Sequence, residues 1–213
     1  MKITSRSLIA GETIPAQYAF AIPNPDTHVS LSDNLNPHIA WSEAPEGTKS
    51  FALVCCDPDV PSVGDDVNQE GKSVPADLPR VDFYHWLLWN IPATTSEIEE
   101  GAHCNGVTAR GKPGPLAPEG FQHGINDYTG WFAGDADMEG SYFGYDGPCP
   151  PWNDERLHHY VFTVYALDVT NLSPISSHNG KITGTDLLFE MKNHILASAS
   201  LTATYSLNPA VTG

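Results

Sequence analysis

Two apolar segments in the first half of the chain predict strands that are buried in the protein core. The first is the unbroken run Phe51–Cys56, which is followed by the turn-rich sequence Asp57-Pro-Asp-Val-Pro61. A short continuous apolar run of this kind is typical of a strand buried on both faces. Because proline cannot donate a hydrogen bond to a neighbouring strand, we expect this strand to end at residue 57. The second segment, Val81–Ile91, is rich in aromatic and branched residues, and His85 lies near its start.

The second half of the chain contains two alternating segments and, between them, one helical pattern. Residues 157–169 predict a strand, and residues 200–207 alternate between polar and apolar side chains as a half-buried strand does. Residues 184–197 change to a helical period, in which either Thr183 or Thr185 would cap the N-terminus. The apolar stripe of this helix consists of Leu187, Leu188, Met191 and Ile195.

The remaining segments predict short strands and long loops. Short strands are expected within residues 2–8 and 39–41. Segments rich in glycine, proline, asparagine and aspartate predict loops at residues 21–38, 62–80 and 92–151. We therefore expect a mainly β protein, a β-sandwich with one C-terminal helix. No linker separates the apolar segments, so residues 1–213 are expected to form a single domain.

The charge balance and the absence of long apolar segments narrow the classes of partner. The 213 residues include 26 acidic and 10 basic side chains, which gives a formal net charge of −16. Such a charge repels the phosphate backbone of nucleic acids and anionic membrane surfaces. The sequence shows neither an 18-residue apolar segment nor a basic, then apolar, leader. We expect a cytoplasmic protein that neither binds nucleic acid nor inserts stably into a membrane.

Polar residues that could form a binding site cluster where the predicted strands begin and end. Asp57 and Asp59 follow one strand, His85 opens a second, and His158 and His159 open a third. Acids and histidines brought together can form a hydrogen-bonding pocket, and the loop with Gly147 and three prolines would let backbone groups approach a ligand closely. The alternative for the acids is an Asx turn with two solvated carboxylates. The alternative for each histidine is an ordinary polar residue at a strand end.

Four motifs, in this order along the chain, resemble a known family. They are Asp57-Pro-Asp-Val-Pro61, His85-Trp86 leading to Asn90-Ile-Pro92, Gly144-Tyr-Asp-Gly-Pro-Cys-Pro-Pro151, and His158-His-Tyr160 with the apolar segment that follows. Together they resemble the phosphatidylethanolamine-binding proteins, also called Raf-kinase-inhibitor-like proteins, in their bacterial form. The resemblance spans roughly residues 30 to 207.

The resemblance implies a β-sandwich of two antiparallel sheets with a small pocket at one end. In the family, that pocket binds phosphate-like and carboxylate-like anions, including phospholipid head groups. Carried over by motif, the pocket residues are Asp57, His85, Gly147, Pro151, His158 and Tyr160. Four features depart from the family pattern, including a longer span at 62–80 and an elaborated loop region at 103–145. His159 stands where an arginine is usual, and Trp152–Glu155 replaces a turn that is usually rich in lysine and glycine.

The function that the resemblance implies is binding of a small anion without catalysis, with regulation of a kinase or protease partner. No cofactor is implied, and a homodimer is left open. The competing hypothesis is a hydrolase in which Asp57, Asp59, His85 and His158 hold a metal ion or act as an acid–base pair. Against it, the sequence contains no His-x-x-x-His spacing, and no serine lies in a nucleophile elbow. The four cysteines lack the Cys-x-x-Cys spacing of a zinc knuckle, and Cys55 and Cys56 are expected to be core thiols.

Overall fold

A computed structural model describes residues 1–211 and shows a mainly β protein built on a five-stranded antiparallel sheet. Its strands are β5 (Ser50–Pro61), β6 (Arg80–Pro92), β8 (Gln122–His123), β9 (His158–Leu167) and β10 (Ile195–Tyr205). Their spatial order is β10-β9-β5-β6-β8. The two predicted apolar strands, β5 and β6, and the predicted strand at residues 157–169, which is β9, therefore form the centre of this sheet.

Smaller elements pack around the central sheet. A second antiparallel sheet contains β1 (Lys2–Thr4), β4 (Ile39–Ser42) and β7 (Glu97–Ile98), and a separate hairpin contains β2 (Ala21–Asn24) and β3 (His28–Leu31). Two α-helices, α1 (Tyr128–Trp131) and α2 (Gly184–Met191), and two short 3-10 helices, Ala16–Tyr18 and Pro118–Gly120, complete the regular structure. None of the helices in residues 1–211 is long and apolar enough to cross a membrane.

Both faces of the central strands are buried, as the apolar runs predict. On one face, Leu53, Trp86 and Phe162 pack against Ile39 and Trp41 of the second sheet. On the opposite face, apolar side chains of the same strands pack with residues of α2; they include Val54, Leu87, Leu167, Leu187 and Met191. Because neighbouring side chains on a strand point to opposite faces, a strand between two cores needs apolar residues at every position.

The structure corrects the predicted end of β5. The strand was expected to stop at Asp57, but it continues to Pro61. Asp57 pairs with Phe83, and the pairing resumes only at Val60 with Val81, so Pro58 lies in an irregular step of the ladder. A bulge of this kind leaves a residue unpaired, and a proline is tolerated there because no ladder hydrogen bond is required of it.

The predicted C-terminal helix begins where expected and ends early. Thr183 caps it in a capping box with Asp186, which decides between the two candidate caps. The helix ends at Met191, and Ile195, assigned to its apolar stripe, instead begins β10 opposite Leu167. The prediction of helix for residues 192–197 is therefore wrong. The four-residue spacing between Met191 and Ile195 is compatible with a continuous helix and also with a helix that ends before a strand. Pairing with β9 places Ile195 in the strand.

Candidate functional site

A cavity of about 160 Å³ lies at the end of the central sheet where β5 finishes and β6 and β9 begin. Because β5 is antiparallel to both neighbours, its C-terminal end meets their N-terminal ends, which brings the three groups of polar residues together. Five of the six predicted site residues line the cavity, namely Asp57, His85, Pro151, His158 and Tyr160. Apolar residues form much of the remaining wall, among them Val60, Val63, Val67, Phe83 and Trp131.

Gly147, the sixth predicted site residue, is not among the residues that line the cavity. Its N–H donates to the side-chain oxygen of Asn34 at 2.8 Å, and its carbonyl accepts from the hydroxyl of Tyr128 at 2.7 Å. Tyr128 itself lines the cavity. Gly147 therefore supports the wall from behind, and its lack of a side chain serves close packing, since a Cβ there would lie 2.0 Å from the carbonyl oxygen of Tyr18.

Asp57 and His158 form a buried ion pair at the cavity. Asp57 Oδ2 lies 2.6 Å from His158 Nδ1, and the side chains are 1% and 0% exposed. Asp57 Oδ1 accepts a second hydrogen bond from the Asp59 N–H at 2.8 Å, which forms the Asx turn considered as an alternative. The carboxylates at this turn are nevertheless buried, so the description of them as solvated acids is wrong.

His158 is held between two carboxylates and is protonated. Its Nε2 lies 3.1 Å from Asp154 Oδ2, so both ring nitrogens have an acidic partner. Burial lowers the pKa of His158, but the hydrogen bonds with Asp154 and Asp57 outweigh it and raise that pKa to about 9. The pKa of Asp154 is raised by burial and lowered more by its bonds with His158 and Arg80, so it lies below its ordinary value. His158 therefore contributes charge to the cavity and has no N–H left for a ligand.

His85 has the opposite character. Burial holds the pKa of His85 below its ordinary value, although the nearby Asp57 carboxylate opposes this. The neutral ring places Nδ1 at 2.8 Å from the carbonyl oxygen of Asp146. Since a carbonyl can only accept, Nδ1 carries the proton and Nε2 is an acceptor. No group in residues 1–211 hydrogen-bonds Nε2, so His85 offers the cavity a free acceptor.

Tyr160 offers the cavity a free donor. Its side chain is 1% exposed, and its hydroxyl has no hydrogen-bond partner among residues 1–211. The ring packs edge-on against His85, with 5.1 Å between centroids. Burial raises the pKa of Tyr160 well above its ordinary value, so the hydroxyl keeps its proton. A buried hydroxyl without a partner is costly, and a ligand in the cavity would satisfy it.

His159 and Asp59 form a second cluster beside the first. His159 Nδ1 lies 2.8 Å from Asp59 Oδ2, and Arg156 Nε lies 2.8 Å from Asp59 Oδ1. Neither His159 nor Arg156 lines the cavity. A cation is thus present next to Asp59 although His159 replaces the arginine usual in the family.

Sequence reasoning missed Arg80, Asn153 and Asp154, which hold the residues around the cavity. Arg80 binds both carboxylate oxygens of Asp154, at 2.5 and 3.0 Å. Asn153 bonds to the loop that carries Val63 and Val67. The departure of Trp152–Glu155 from the family pattern is the available signal, and within this segment Asp154 is buried.

The geometry does not favour the hydrolase hypothesis. Within residues 1–211, no group of three or more histidine, cysteine, aspartate or glutamate side chains is arranged to hold a metal ion. His158 cannot act as a general base because it is protonated and both its nitrogens are engaged. Among residues 1–211 all four cysteines are free, and burial raises the pKa of Cys149, which lines the cavity, to about 12.

Comparison with known proteins identifies similar sequences and folds. The family model described as phosphatidylethanolamine-binding protein matches residues 4–206. The UPF0098 protein YbhB of Escherichia coli is 31% identical over 206 residues, which cover 97% of this chain and all of that protein. A UPF0098 protein of Aquifex aeolicus is 31% identical over 207 residues, with 96% of this chain and 88% of the relative covered.

Two solved structures share the fold. The crystal structure of E. coli YbcL, described as a new member of the mammalian PEBP family, superposes with a TM-score of 0.66 at 27% identity and covers 96% of this chain and 97% of YbcL. A putative phosphatidylethanolamine-binding protein homologue from Chlamydia trachomatis gives a TM-score of 0.60 at 28% identity, with 96% of each chain covered.

Proposed function

Because the chain belongs to the phosphatidylethanolamine-binding protein family, we propose that its cavity binds a small phosphate-like or carboxylate-like anion. The observation that carries the proposal is the unsatisfied Tyr160 hydroxyl, buried beside the free acceptor of neutral His85. One donor and one acceptor match a monoprotonated phosphate, whose oxygen accepts from Tyr160 while its O–H donates to His85 Nε2. The positive charge of His158 offsets the carboxylate of Asp57, so the bound anion does not face an unpaired negative charge.

The walls of the cavity indicate what else the ligand carries. Val60, Val63 and Phe83 line it together with prolines 61, 150 and 151. Binding sites for small molecules are mostly apolar, with a few placed polar groups that orient the ligand. The proposed ligand is therefore an anionic head group attached to an apolar portion that leaves through the mouth.

The test is a calorimetric titration with inorganic phosphate and with acetate at pH 6. We expect phosphate to bind the wild-type protein and to bind Tyr160→Phe about tenfold or more weakly, because a hydrogen bond to a charged group contributes about 1.5–3 kcal/mol. Acetate should bind more weakly than phosphate, because its carboxylate can accept from Tyr160 but at pH 6 has no O–H to donate to His85. Tyr165→Phe is the matched control, since Tyr165 lies on the same strand but packs on the opposite face of the sheet. Absence of binding to the wild type, or equal affinity of Tyr160→Phe, would contradict the proposal.

Regulation of a kinase or protease partner is the second part of the proposal. The feature that supports it is the exposed apolar rim of the cavity, where Val63 is 51% and Trp131 is 49% exposed. Large exposed apolar side chains around a pocket are common in surfaces that contact other proteins. Trp131→Ala should then weaken inhibition of the target enzyme by a larger factor than it weakens phosphate binding, since Trp131 belongs to the exposed rim as well as to the cavity wall. Equal inhibition by the variant and the wild type would remove this support.

A further inference from the structure

The loop between β5 and β6 forms one wall of the cavity, and the buried side chain of Asn153 anchors it. Residues 62–68 of this loop contribute Val63, Gly64, Val67 and Asn68 to the lining. Asn153 Nδ2 donates to the carbonyls of Asp66 at 2.9 Å and Lys72 at 3.1 Å, and Asn153 Oδ1 accepts from the Asn68 N–H at 2.9 Å. The wall therefore keeps its position through contacts with the segment that precedes β9.

The next residue, Asp154, connects the other end of the same loop to the charge in the cavity. Its carboxylate is held by the two terminal nitrogens of Arg80, which also donate to the carbonyls of Asp59 at 2.9 Å and Pro75 at 2.8 Å. Asp154 Oδ2 lies 3.1 Å from His158 Nε2. Asp57, His158, Asp154 and Arg80 thus form a continuous chain of alternating charges. Arg80 and Asp154 side chains are 5% and 1% exposed, so water screens the chain little.

We propose that Asp154 is a positioning residue of the cavity, which keeps His158 cationic and, through Arg80, fixes the loop that forms the wall. The proposal rests on the anion-binding function proposed above and adds how the site keeps its charge. Asp57 alone would leave a buried negative charge facing the ligand whenever His158 lost its proton. With Asp154 as a second partner, His158 keeps its proton throughout the neutral range. Its positive charge therefore continues to support anion binding across that range.

The charged and titratable groups around His158 support this role. Asp57 faces it from β5, His85 from β6 and Asp154 from the segment before β9, and Arg80 lies behind Asp154. Asp59, which contacts Arg156 and His159, lies two residues after Asp57 in the same turn. Burial alone would lower the pKa of His158, and the bonds with Asp154 and Asp57 reverse that effect. If Asp154 loses its charge, only the Asp57 carboxylate remains to counteract the lowering of the His158 pKa by burial.

The test measures two quantities on the full chain of Asp154→Asn between pH 5.5 and 9. The first is the titration of the His158 ring by NMR without ligand, and the second is the affinity for inorganic phosphate. We expect the pKa of His158 to fall by at least about one unit. We also expect the phosphate affinity to decrease relative to the wild type by up to about tenfold per pH unit above that pKa. Glu46→Gln, an exposed change of the same charge at the other end of β5, should behave as the wild type in both measurements.

Arg80→Gln separates the charge of His158 from the position of the loop. This variant leaves Asp154 on His158 but removes the clamp on the carbonyls of Asp59 and Pro75. We expect the pKa of His158 not to fall, and the phosphate affinity to drop by a similar factor at every pH. The variant also keeps the proposal testable if Asp154→Asn does not fold.

Two results would overturn the proposal, and a third would remove the function on which it rests. An unchanged His158 pKa in Asp154→Asn would show that Asp57 alone holds the proton. A lowered His158 pKa with wild-type phosphate affinity at every pH would show that the charge does not act on the ligand. Failure of the wild type itself to bind phosphate would remove the anion-binding function, and the ligand-free His158 titration would then show separately whether Asp154 holds the charge.

Discussion

Asp57 Oδ2 and His158 Nδ1 are 2.6 Å apart although 101 residues separate them in the chain. The antiparallel register explains the contact, because Cys56 pairs with Val161, and the residues after Cys56 lie at the same end of the sheet as the residues before Val161. Neither side chain contacts solvent, since both are at most 1% exposed. Asp57 is therefore one of the two buried carboxylate partners that keep His158 charged.

Replacement of Asp57 by alanine should destabilise the protein strongly. It leaves His158 with one acidic partner in a buried position, and breaking a buried pair by removing one partner costs about 3–5 kcal/mol. A single lost hydrogen bond would cost less, about 1–3 kcal/mol. Urea unfolding at pH 7 measures the difference. Asp26→Ala, at an exposed turn, serves as the control and should change stability by less than about 0.5 kcal/mol.

Stability should decrease at alkaline pH because of His158. Its folded pKa, about 9, lies above the ordinary value of 6.5. The proton therefore stabilises the folded state fully below pH 6.5, and this contribution is lost as the pH rises from 6.5 to 9. The loss is on the order of 3 kcal/mol, since each pKa unit corresponds to about 1.4 kcal/mol. Urea unfolding across this range measures it, and a flat profile would show that His158 is not protonated in the folded protein.

Stability should also decrease at acid pH because of a second pair of histidines. His103 Nδ1 and His123 Nε2 are 3.3 Å apart, and burial lowers their pKa values to about 4 and about 3. The unfolded chain takes up protons near pH 6.5, so stability is fully present above that pH and is lost as the pH falls towards 4 and below. The slope should approach about 2.7 kcal/mol per pH unit while both residues contribute.

A variant of the histidine pair tests the assignment of this acid slope. His103→Gln should reduce the slope by about half, because one of the two buried rings no longer takes up a proton on unfolding. His178→Gln, at an exposed position, should leave the slope unchanged. An acid profile that is the same in His103→Gln and the wild type would assign the loss of stability to other groups.

Replacement of Gly147 by alanine should destabilise the fold without changing any polar group that lines the cavity. The added Cβ would lie 2.0 Å from the carbonyl oxygen of Tyr18, so the backbone must move. Overpacking of this kind typically costs about 1–3 kcal/mol. Thermal unfolding measures the loss. Gly130→Ala is the control for the change itself, because a Cβ there meets no atom within 4 Å. Equal effects of the two changes would contradict the packing role of Gly147.

The position of the core strands follows from local chemistry and could be predicted from the sequence. The run Phe51–Cys56 has no polar residue, and a strand of that composition is stable only between two apolar layers. The turn residues that follow predict that Asp57 lies near the strand end, although β5 continues to Pro61. His158 opens β9, whereas His85 lies inside the first half of β6, which begins at Arg80. Their convergence near one edge could be expected once the sheet was antiparallel.

Local patterns were insufficient where two structures share the same spacing or where a partner comes from elsewhere in the chain. Ile195 fits a helical stripe as well as the start of a strand, and the pairing with Leu167 decides for the strand. The protonation of His85 and His158 was equally open, because two histidines at strand ends look alike in the sequence. Burial beside one carbonyl keeps His85 neutral, whereas contact with Asp57 and Asp154 keeps His158 charged. Charge in the core depends on neighbours and on the exclusion of water, and only the folded chain supplies both.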